Sequence, residues 1–135
     1  MRIAIVSAPA TRKEPQDYVR SLAKGMESMG HRVDVLDAWT EDGYRLPGYE
    51  YIAVIAEPNS FFSGKINAKI SKVLAAGSSL SGKKSAAFIK KQGLFTNRAL
   101  ANLMRTMEKE GMVVNWSDIL FNAPHAEAMG KRIGS

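Results

Sequence analysis

The sequence predicts an α/β protein with three layers, in which helices cover both faces of a parallel β-sheet. Three observations support this prediction: short β-branched runs, amphipathic segments between them, and glycines where helices should end. Alternation of strands and helices implies right-handed crossovers and parallel pairing. With 135 residues, of which 45% are hydrophobic, we expect one domain over residues 1–135.

The first half of the chain alternates two kinds of pattern. Residues 2–6 form a short apolar run, typical of a buried parallel strand. Apolar residues then recur at helical spacing over 19–29, which predicts the first helix. Residues 32–36 predict the second strand, and the polar residues 37–48 a long loop. Residues 51–56 are the most continuous apolar run, so we expect this strand at the centre of the sheet.

The second half repeats the alternation. Residues 66–77 predict a helix, and 85–89 predict the fourth strand. A helix over 100–111 and a fifth strand over 112–115 follow, and the last helix covers 124–133, with proline in its first turn. The pattern predicts that strands and helices alternate along the chain as five strand-helix units. The long loop follows the second strand.

Composition limits the classes of function. The chain has no cysteine, which excludes disulfides and thiolate metal sites. The longest apolar runs, residues 3–6 and 52–56, fall short of the roughly 20 residues that a membrane helix needs. We therefore expect a cytoplasmic protein with no membrane contact. Nineteen basic against thirteen acidic residues give a net charge of +6, which favours an anionic ligand or an acidic partner.

Three loops are candidates for a ligand site, because ligands of open parallel sheets bind beyond the carboxyl ends of the strands. These loops cover residues 7–13, 57–64 and 90–97. Basic residues cluster in them or in the helical turns that follow: Arg12, Lys13, Lys65, Lys90, Lys91 and Arg98. Cations at helix starts oppose the helix dipole, so their placement indicates an anionic ligand or solvent-exposed side chains.

Two pairs of large apolar residues also occur in these loops. Phe61 and Phe62 follow the third strand, and Leu94 and Phe95 follow the fourth. We expect one member of each pair to pack in the core. The other two would either flank a planar ring or anchor their own loops.

Several motifs are excluded by their context. Residues 77–83 resemble a P-loop, but Lys84 replaces the hydroxyl residue, and the segment follows a helix instead of a strand. No G-x-G-x-x-G or G-x-S-x-G motif occurs, and Glu57 stands where response regulators carry an aspartate. We expect His31 at the surface and His125 at the start of the last helix. No nucleic-acid-binding motif appears, so only charge favours nucleic acid.

The chain resembles the flavodoxin family, in its short-chain form, over nearly its whole length. The resemblance rests on residues 3–7, 49–55, 82–88, 110–114 and 128–133. It implies a flavodoxin-like sandwich with sheet order 2-1-3-4-5, noncovalent FMN, and electron transfer to a redox partner protein. The family holds the FMN phosphate on a Ser/Thr-x-Thr-Gly-x-Thr loop after the first strand.

This phosphate loop departs from the family pattern. Ser7 matches its first position, whereas Pro9, Ala10, Thr11 and Arg12 replace the rest. Proline removes an amide donor, and alanine does not adopt the positive φ of glycine freely. The resemblance thus implies cofactor-binding residues in three loops: Ser7, Pro9, Ala10, Thr11, Arg12 and Lys13; Pro58, Asn59, Ser60, Phe61, Phe62, Ser63 and Gly64; Lys91, Gln92, Gly93 and Phe95.

Two functions remain open from the sequence. The first is binding of FMN, or of a related anionic ligand, with electron transfer. The alternative is a cofactor-free binding or assembly module that uses its basic edge for an acidic partner. In either case we expect an electron carrier or a binding protein, without a catalytic residue or a metal site of its own.

Overall fold

The computed structural model describes residues 1–10, 17–77 and 79–133 of the chain. Five strands and four α-helices lie in these ranges. The strands are β1 (Arg2–Ala8), β2 (Arg32–Asp37), β3 (Tyr51–Ala56), β4 (Lys84–Lys90) and β5 (Val113–Leu120). The helices are α1 (Asp17–Ser28), α2 (Lys69–Ala76), α3 (Thr96–Lys109) and α4 (Ala123–Arg132).

The strands form one parallel sheet in the order β2-β1-β3-β4-β5. This confirms both the predicted parallel sheet and the order implied by the family resemblance. Strand β3 lies between β1 and β4, and all six of its residues are buried. Its continuous apolar run is therefore explained by a central position with helices on both faces.

Successive residues of the central strands face opposite layers. One face of the sheet packs on α1 and α4, through residues such as Ile5, Ile55 and Leu22. The other face packs on α2 and α3, through residues such as Val54 and Leu103. The three-layer arrangement is thus confirmed, with two helices on each face of the sheet.

The long loop predicted after strand two is confirmed, so the described residues hold four strand-helix units, and the predicted count of five is wrong. Between β2 and β3, residues 38–50 form a loop with one 3-10 turn at Leu46–Gly48. Pro47 lies in this turn and Gly43 has a positive φ of 92°, so the segment lacks the uninterrupted helical pattern that an α-helix needs.

Strand β5 is longer than predicted, because it continues from Val113 to Leu120. As a terminal strand of the sheet, it pairs only with β4, and residues such as Asn115 and Ser117 are exposed. Because polar residues interrupt its apolar pattern, the sequence predicts only the first part of this strand. No helix in the described ranges is both long and apolar enough to cross a membrane.

Helices α1 and α4 approach each other through two glycines. A Cβ atom added to Gly25 would lie 2.1 Å from the carbonyl oxygen of Glu127, and one added to Gly130 would lie 2.3 Å from that of Leu22. Only glycine permits this close approach of the two backbones. The contact holds α1 against α4, and Tyr18 lies near the start of α1.

Candidate functional site

The carboxyl ends of the three central strands meet at one edge of the sheet. Ala8 of β1 pairs with Ala56 of β3, which pairs with Ile89 of β4. Lys90 pairs with Leu120 at the end of β5. The loops that follow these strands therefore leave from the same edge, and hydrogen bonds join them to one another.

The loop after β1 is held by bonds to neighbouring segments. The carbonyl oxygen of Pro9 accepts hydrogen bonds from Trp39 Nε1 and from Asn67 Nδ2, each at 3.1 Å. The amide nitrogen of Ala10 donates to Oε1 of Glu57 at 2.9 Å. Pro9 and Ala10 are thus fixed against the segment that follows β3.

Ser7 does not belong to this loop, because β1 runs through Ala8. Its side chain is buried, and its carbonyl oxygen accepts a hydrogen bond from the Ala38 amide. The prediction that strand one ends before Ser7 is therefore wrong. The predicted site residues Thr11, Arg12 and Lys13 lie outside the described residues.

Glu57 is the most buried charged residue at this edge, with 1% of its surface exposed. It directly follows the last residue of β3. Burial raises the pKa of the nearby Tyr18 hydroxyl, and the negative charge of Glu57 raises it further. The Lys90 ammonium group lies 5.0 Å from the centroid of the Tyr18 ring. A carboxylate, a phenol and a cation therefore meet beneath the loop after β1.

The loop after β3 folds back on itself. The Asn59 amide donates to the carbonyl oxygen of Lys65 at 2.8 Å, and the Ser63 amide donates to that of Ser60 at 3.2 Å. Ser63 Oγ accepts a bond from the Lys65 amide. These bonds close a compact turn that carries Phe61 and Phe62 at its tip.

The loop after β4 docks on this turn. The Leu94 amide donates to the Phe61 carbonyl oxygen at 2.9 Å, and Gln92 Nε2 donates to that of Pro58 at 3.4 Å. Gly93 has a φ of 71°, and a Cβ added to it would lie 2.3 Å from the Phe61 carbonyl oxygen. Gly93 is therefore required both by the turn and by the contact between the loops.

The aromatic side chains of these loops are exposed. Phe61, Phe62, Leu94 and Phe95 expose 55%, 74%, 61% and 36% of their surfaces. The prediction that one member of each pair packs in the core is wrong. The loop contact uses backbone atoms of Phe61 and Leu94, and their side chains extend outward. The rings of Phe61 and Phe62 meet edge to face, with their centroids 5.0 Å apart.

Cations surround the same loops. Lys65 and Lys91 are exposed, as is Arg98, whose guanidinium group lies 5.2 Å from the centroid of the Phe95 ring. The Arg98 side chain also covers Gly64, where an added Cβ would lie 2.6 Å from Arg98 Cδ. The described part of the predicted basic rim is therefore present, and two of its cations, Lys90 and Arg98, contact aromatic rings.

Two cavities differ in their relation to these loops. A cavity of about 200 Å³ lies between the loops after β4 and β5, lined by Lys91, Leu94, Thr96, Asn97, Ile119 and Phe121. A cavity of about 440 Å³ lies at the opposite edge, near Tyr51 and Trp116. The smaller cavity is the relevant one, because parallel sheets bind ligands beyond the carboxyl ends of their strands.

Two other sequence patterns have structural roles. Residues 77–83 follow α2 and precede β4, as predicted, and Lys83 Nζ donates to the carbonyl oxygens of Pro47 and Tyr49. His125 lies in the first turn of α4, where its amide donates to the capping Asn122 side chain at 2.8 Å. Lys83 precedes β4 and lies at the opposite edge of the sheet, whereas His125 Nδ1 accepts a bond at 3.2 Å from the amide of Phe121, which lines the cavity of about 200 Å³.

The described part of the loop after β1 does not fit a phosphate group. Phosphates bind at such loops through backbone N–H groups. Pro9 has no N–H, and the Ala10 N–H is already bonded to Glu57. The loops after β3 and β4, in contrast, offer exposed aromatic rings and cations.

Sequence reasoning missed three residues that organise this edge, namely Tyr18, Trp39 and Asn67. It considered Glu57 only as a position that argues against a response regulator. A glutamate directly after an uninterrupted apolar strand is a signal of burial, because the end of a central strand lies within the protein. No sequence pattern connects Asn67 to Pro9, which is 58 residues away.

No family model matches the chain, and no curated protein matches it in sequence. Among solved structures, it is similar to an oxidised flavodoxin from Bacillus cereus, with a TM-score of 0.74 and 15% identity, covering 96% of this chain and 95% of that chain. A flavodoxin from the domain Archaea has a TM-score of 0.72 and 19% identity, covering 98% and 96%. The two-electron-reduced flavodoxin of Megasphaera elsdenii has a TM-score of 0.71 and 14% identity, covering 96% of each. The chain is therefore a protein of flavodoxin-like fold.

Proposed function

We propose that residues 1–135, as one cytoplasmic domain, bind a flavin at the carboxyl edge of the sheet and transfer electrons to a redox partner protein. The observation that carries this proposal is the exposed apolar cluster of Phe61, Phe62 and Leu94 on two hydrogen-bonded loops. The flavodoxin-like fold supports it, because ligands of such sheets bind at this edge.

Exposed rings on adjoining loops are costly in water. Burial of apolar surface contributes about 25 cal/mol per Å², and an aromatic pair adds about 0.5 to 1.5 kcal/mol. A planar ring packed on Phe61 or Phe62 would recover this free energy. The bond between the Leu94 amide and the Phe61 carbonyl oxygen holds the two loops together before a ligand arrives, so little conformational entropy would be lost on binding.

A bound flavin would supply the electron-transfer chemistry, and the protein would hold and orient the ring and tune its electronic properties. In this proposal the residues of the loops after β3 and β4 bind the ring: Pro58, Asn59, Ser60, Phe61, Phe62, Ser63, Gly64, Lys91, Gln92, Gly93 and Phe95. Lys65 and Lys91 would favour a negatively charged, reduced ring by their positive potential.

Calorimetric titration with riboflavin and with FMN tests the proposal. We expect saturable binding of at least one of the two flavins, with one site per chain and a changed visible spectrum of the flavin. If neither flavin binds and neither spectrum changes, the proposal is overturned.

The structure also supports a second candidate, a cofactor-free module that binds an acidic partner. The bond between Ala10 and Glu57 favours it, because a carboxylate already occupies an amide at the place for a phosphate. The exposed Lys65, Lys91 and Arg98 would then contact acidic side chains of the partner. Saturable flavin binding at the aromatic cluster would contradict this candidate.

A further inference from the structure

The cavity of about 440 Å³ at the opposite edge of the sheet is lined by side chains of three neighbouring strands. Tyr51 begins β3, Lys84 begins β4, and Trp116 belongs to β5. Ile133, which directly follows α4, lines the cavity as well. The volume falls in the range of about 300 to 1,000 Å³ that is typical of sites for small molecules.

A bulge in β5 determines which of its side chains reach this cavity. Val114 and Trp116 pair with consecutive residues of β4, so Asn115 is an extra residue in β5. Such a bulge changes the face of the sheet to which the following residues point. Trp116 therefore lies opposite Ala86, on the face that packs on α1 and α4. Asn115 also lines the cavity, and its Oδ1 atom accepts a hydrogen bond from the Tyr51 hydroxyl at 2.6 Å.

The indole N–H of Trp116 has no acceptor in the described part of the chain. Its Nε1 atom is buried, and no hydrogen-bond partner for it lies within residues 1–10, 17–77 and 79–133. Most buried donors in proteins are paired, and an unpaired one destabilises the fold. The other indole of the chain follows this rule, since Trp39 Nε1 donates to the Pro9 carbonyl oxygen at 3.1 Å. Trp116 thus differs from Trp39 in having a donor that a ligand could satisfy.

The charged side chains that line the cavity are cations. They are Lys84 and Arg132, and no acidic residue is among the described residues that line it. The Arg132 guanidinium group lies 5.2 Å from the centroid of the Trp116 ring. Lys84 is exposed and forms no ion pair with any described residue. Two like charges beside one cavity repel each other, and an anion bound there would reduce this repulsion.

We propose that this cavity is a second binding site, which takes a small organic carboxylate with an apolar body. Lys84 and Arg132 would attract the carboxylate, and one of its oxygens would accept the Trp116 N–H bond. The Tyr51 ring and the Ile133 side chain would cover the apolar body. Because the N–H is buried, a ligand reaches it only by displacing a neighbouring side chain. Loose attraction of anions to the protein surface would therefore leave this N–H unchanged.

Phenylacetate is the probe, because it joins one carboxylate to one aromatic ring. Phenylacetamide is its neutral counterpart, of nearly the same shape. Each compound is titrated at millimolar concentrations into the ¹⁵N-labelled full chain, which includes residues 134 and 135 outside the described ranges. The chain has two tryptophans and therefore two indole N–H signals, and the variant Trp116→Phe identifies the signal of Trp116. The Trp39 signal is an internal control, since its N–H is already bonded.

Two variants test the part played by Lys84. Lys84→Met removes the charge and keeps a side chain of similar length. Lys109→Met is the matched control, because Lys109 is also exposed and has no ion pair among the described residues, but it lies in the last turn of α3 and does not line the cavity. Circular dichroism of each variant checks that it is folded.

We expect phenylacetate to shift the Trp116 indole signal saturably and to leave the Trp39 signal unchanged. Phenylacetamide should bind about tenfold more weakly, because it lacks the charge. Lys84→Met should raise the dissociation constant of phenylacetate about 2- to 5-fold, and Lys109→Met should not change it.

Three results would overturn the proposal: no saturable shift of the Trp116 indole signal with phenylacetate, equal affinity for the two probes, or a dissociation constant that Lys84→Met leaves unchanged. Should Lys84→Met fail to fold, the comparison of the two probes on the unaltered protein still decides the question. None of these results depends on flavin binding, so the proposed function is tested separately.

Discussion

The amide nitrogen of Ala10 and Oε1 of Glu57 lie 2.9 Å apart, and their hydrogen bond joins the loop after β1 to the end of β3. The two residues are 47 positions apart in the sequence. They meet because β1 and β3 are neighbours in the sheet. The bond occupies a backbone amide in the loop where proteins of this architecture commonly bind phosphate.

Gly93→Ala should destabilise the protein. The alanine would have to adopt a φ of 71°, and its Cβ would lie 2.3 Å from the Phe61 carbonyl oxygen. We expect the free energy of unfolding in urea to fall by about 1 to 3 kcal/mol. Gly48→Ala is the control, because an added Cβ there meets nothing within 4 Å, and it should change stability by no more than about 0.5 kcal/mol. Equal effects of the two substitutions would contradict the loop contact.

Asn67→Ala should weaken the anchor of the loop after β1. Asn67 exposes 8% of its surface, donates to the Pro9 carbonyl oxygen, and accepts a bond from the Lys69 amide at 2.9 Å. Loss of both bonds should lower the free energy of unfolding by about 1 to 2 kcal/mol. Asn59→Ala removes one exposed side-chain bond, to the Ile66 carbonyl oxygen, and should cost less than about 0.5 kcal/mol. Urea unfolding of both variants gives the comparison, and a larger loss for Asn59→Ala would be inconsistent with this role.

Phe62→Ala should weaken flavin binding without affecting the fold. The ring exposes 74% of its surface, so its removal should change the free energy of unfolding by less than about 0.5 kcal/mol. Loss of a stacking contact should raise the dissociation constant of riboflavin about 2- to 12-fold, measured by calorimetry. Tyr44→Ala is matched in exposure, also at 74%, but lies in the loop after β2 and should leave the affinity unchanged. The same loss of affinity in both variants would place the ligand elsewhere.

The stability of the protein should fall at alkaline pH through its buried tyrosines. Burial raises the pKa of the Tyr51 hydroxyl, which also donates to Asn115 Oδ1 at 2.6 Å. Above the ordinary tyrosine value of about 10, the unfolded chain loses this proton and the folded chain keeps it. The stabilising contribution is therefore complete below pH 10 and is lost as the pH rises further.

The variant Tyr51→Phe isolates this contribution. Between pH 9 and pH 11, the free energy of unfolding in urea should fall by about 1.4 kcal/mol less in Tyr51→Phe than in the unaltered protein. Tyr18 stays in both proteins and cancels in the comparison. Equal falls in the two proteins would show that Tyr51 ionises normally in the folded chain.

The fold was predictable because its signals are local. The six apolar residues of β3 identify a strand covered on both faces, and Gly30 and Gly111 follow the helical patterns that precede them. The polar residues of β5 conceal most of that strand, since Asn115 and Ser117 are exposed at the edge of the sheet. Binary patterns detect covered strands better than exposed ones.

The site was only partly predictable because it depends on distant contacts. Sequence position placed the loops at one edge, but it gave no information on which side chains face outward there. The outward direction of Phe61 follows from the bond between its carbonyl oxygen and Leu94, which is 33 residues further along. The bond between Glu57 and Ala10 is equally nonlocal, so neither could be inferred from spacing.

Amide chemical shifts recorded during a titration of the ¹⁵N-labelled protein with riboflavin test the central claim most directly. Saturable shifts of the Phe61, Gly93 and Leu94 amides, with Asn115 and Trp116 at the opposite edge unaffected, are the predicted result. Shifts confined to Asn115 and Trp116, or no shifts at all, would contradict a flavin site at the carboxyl edge of the sheet.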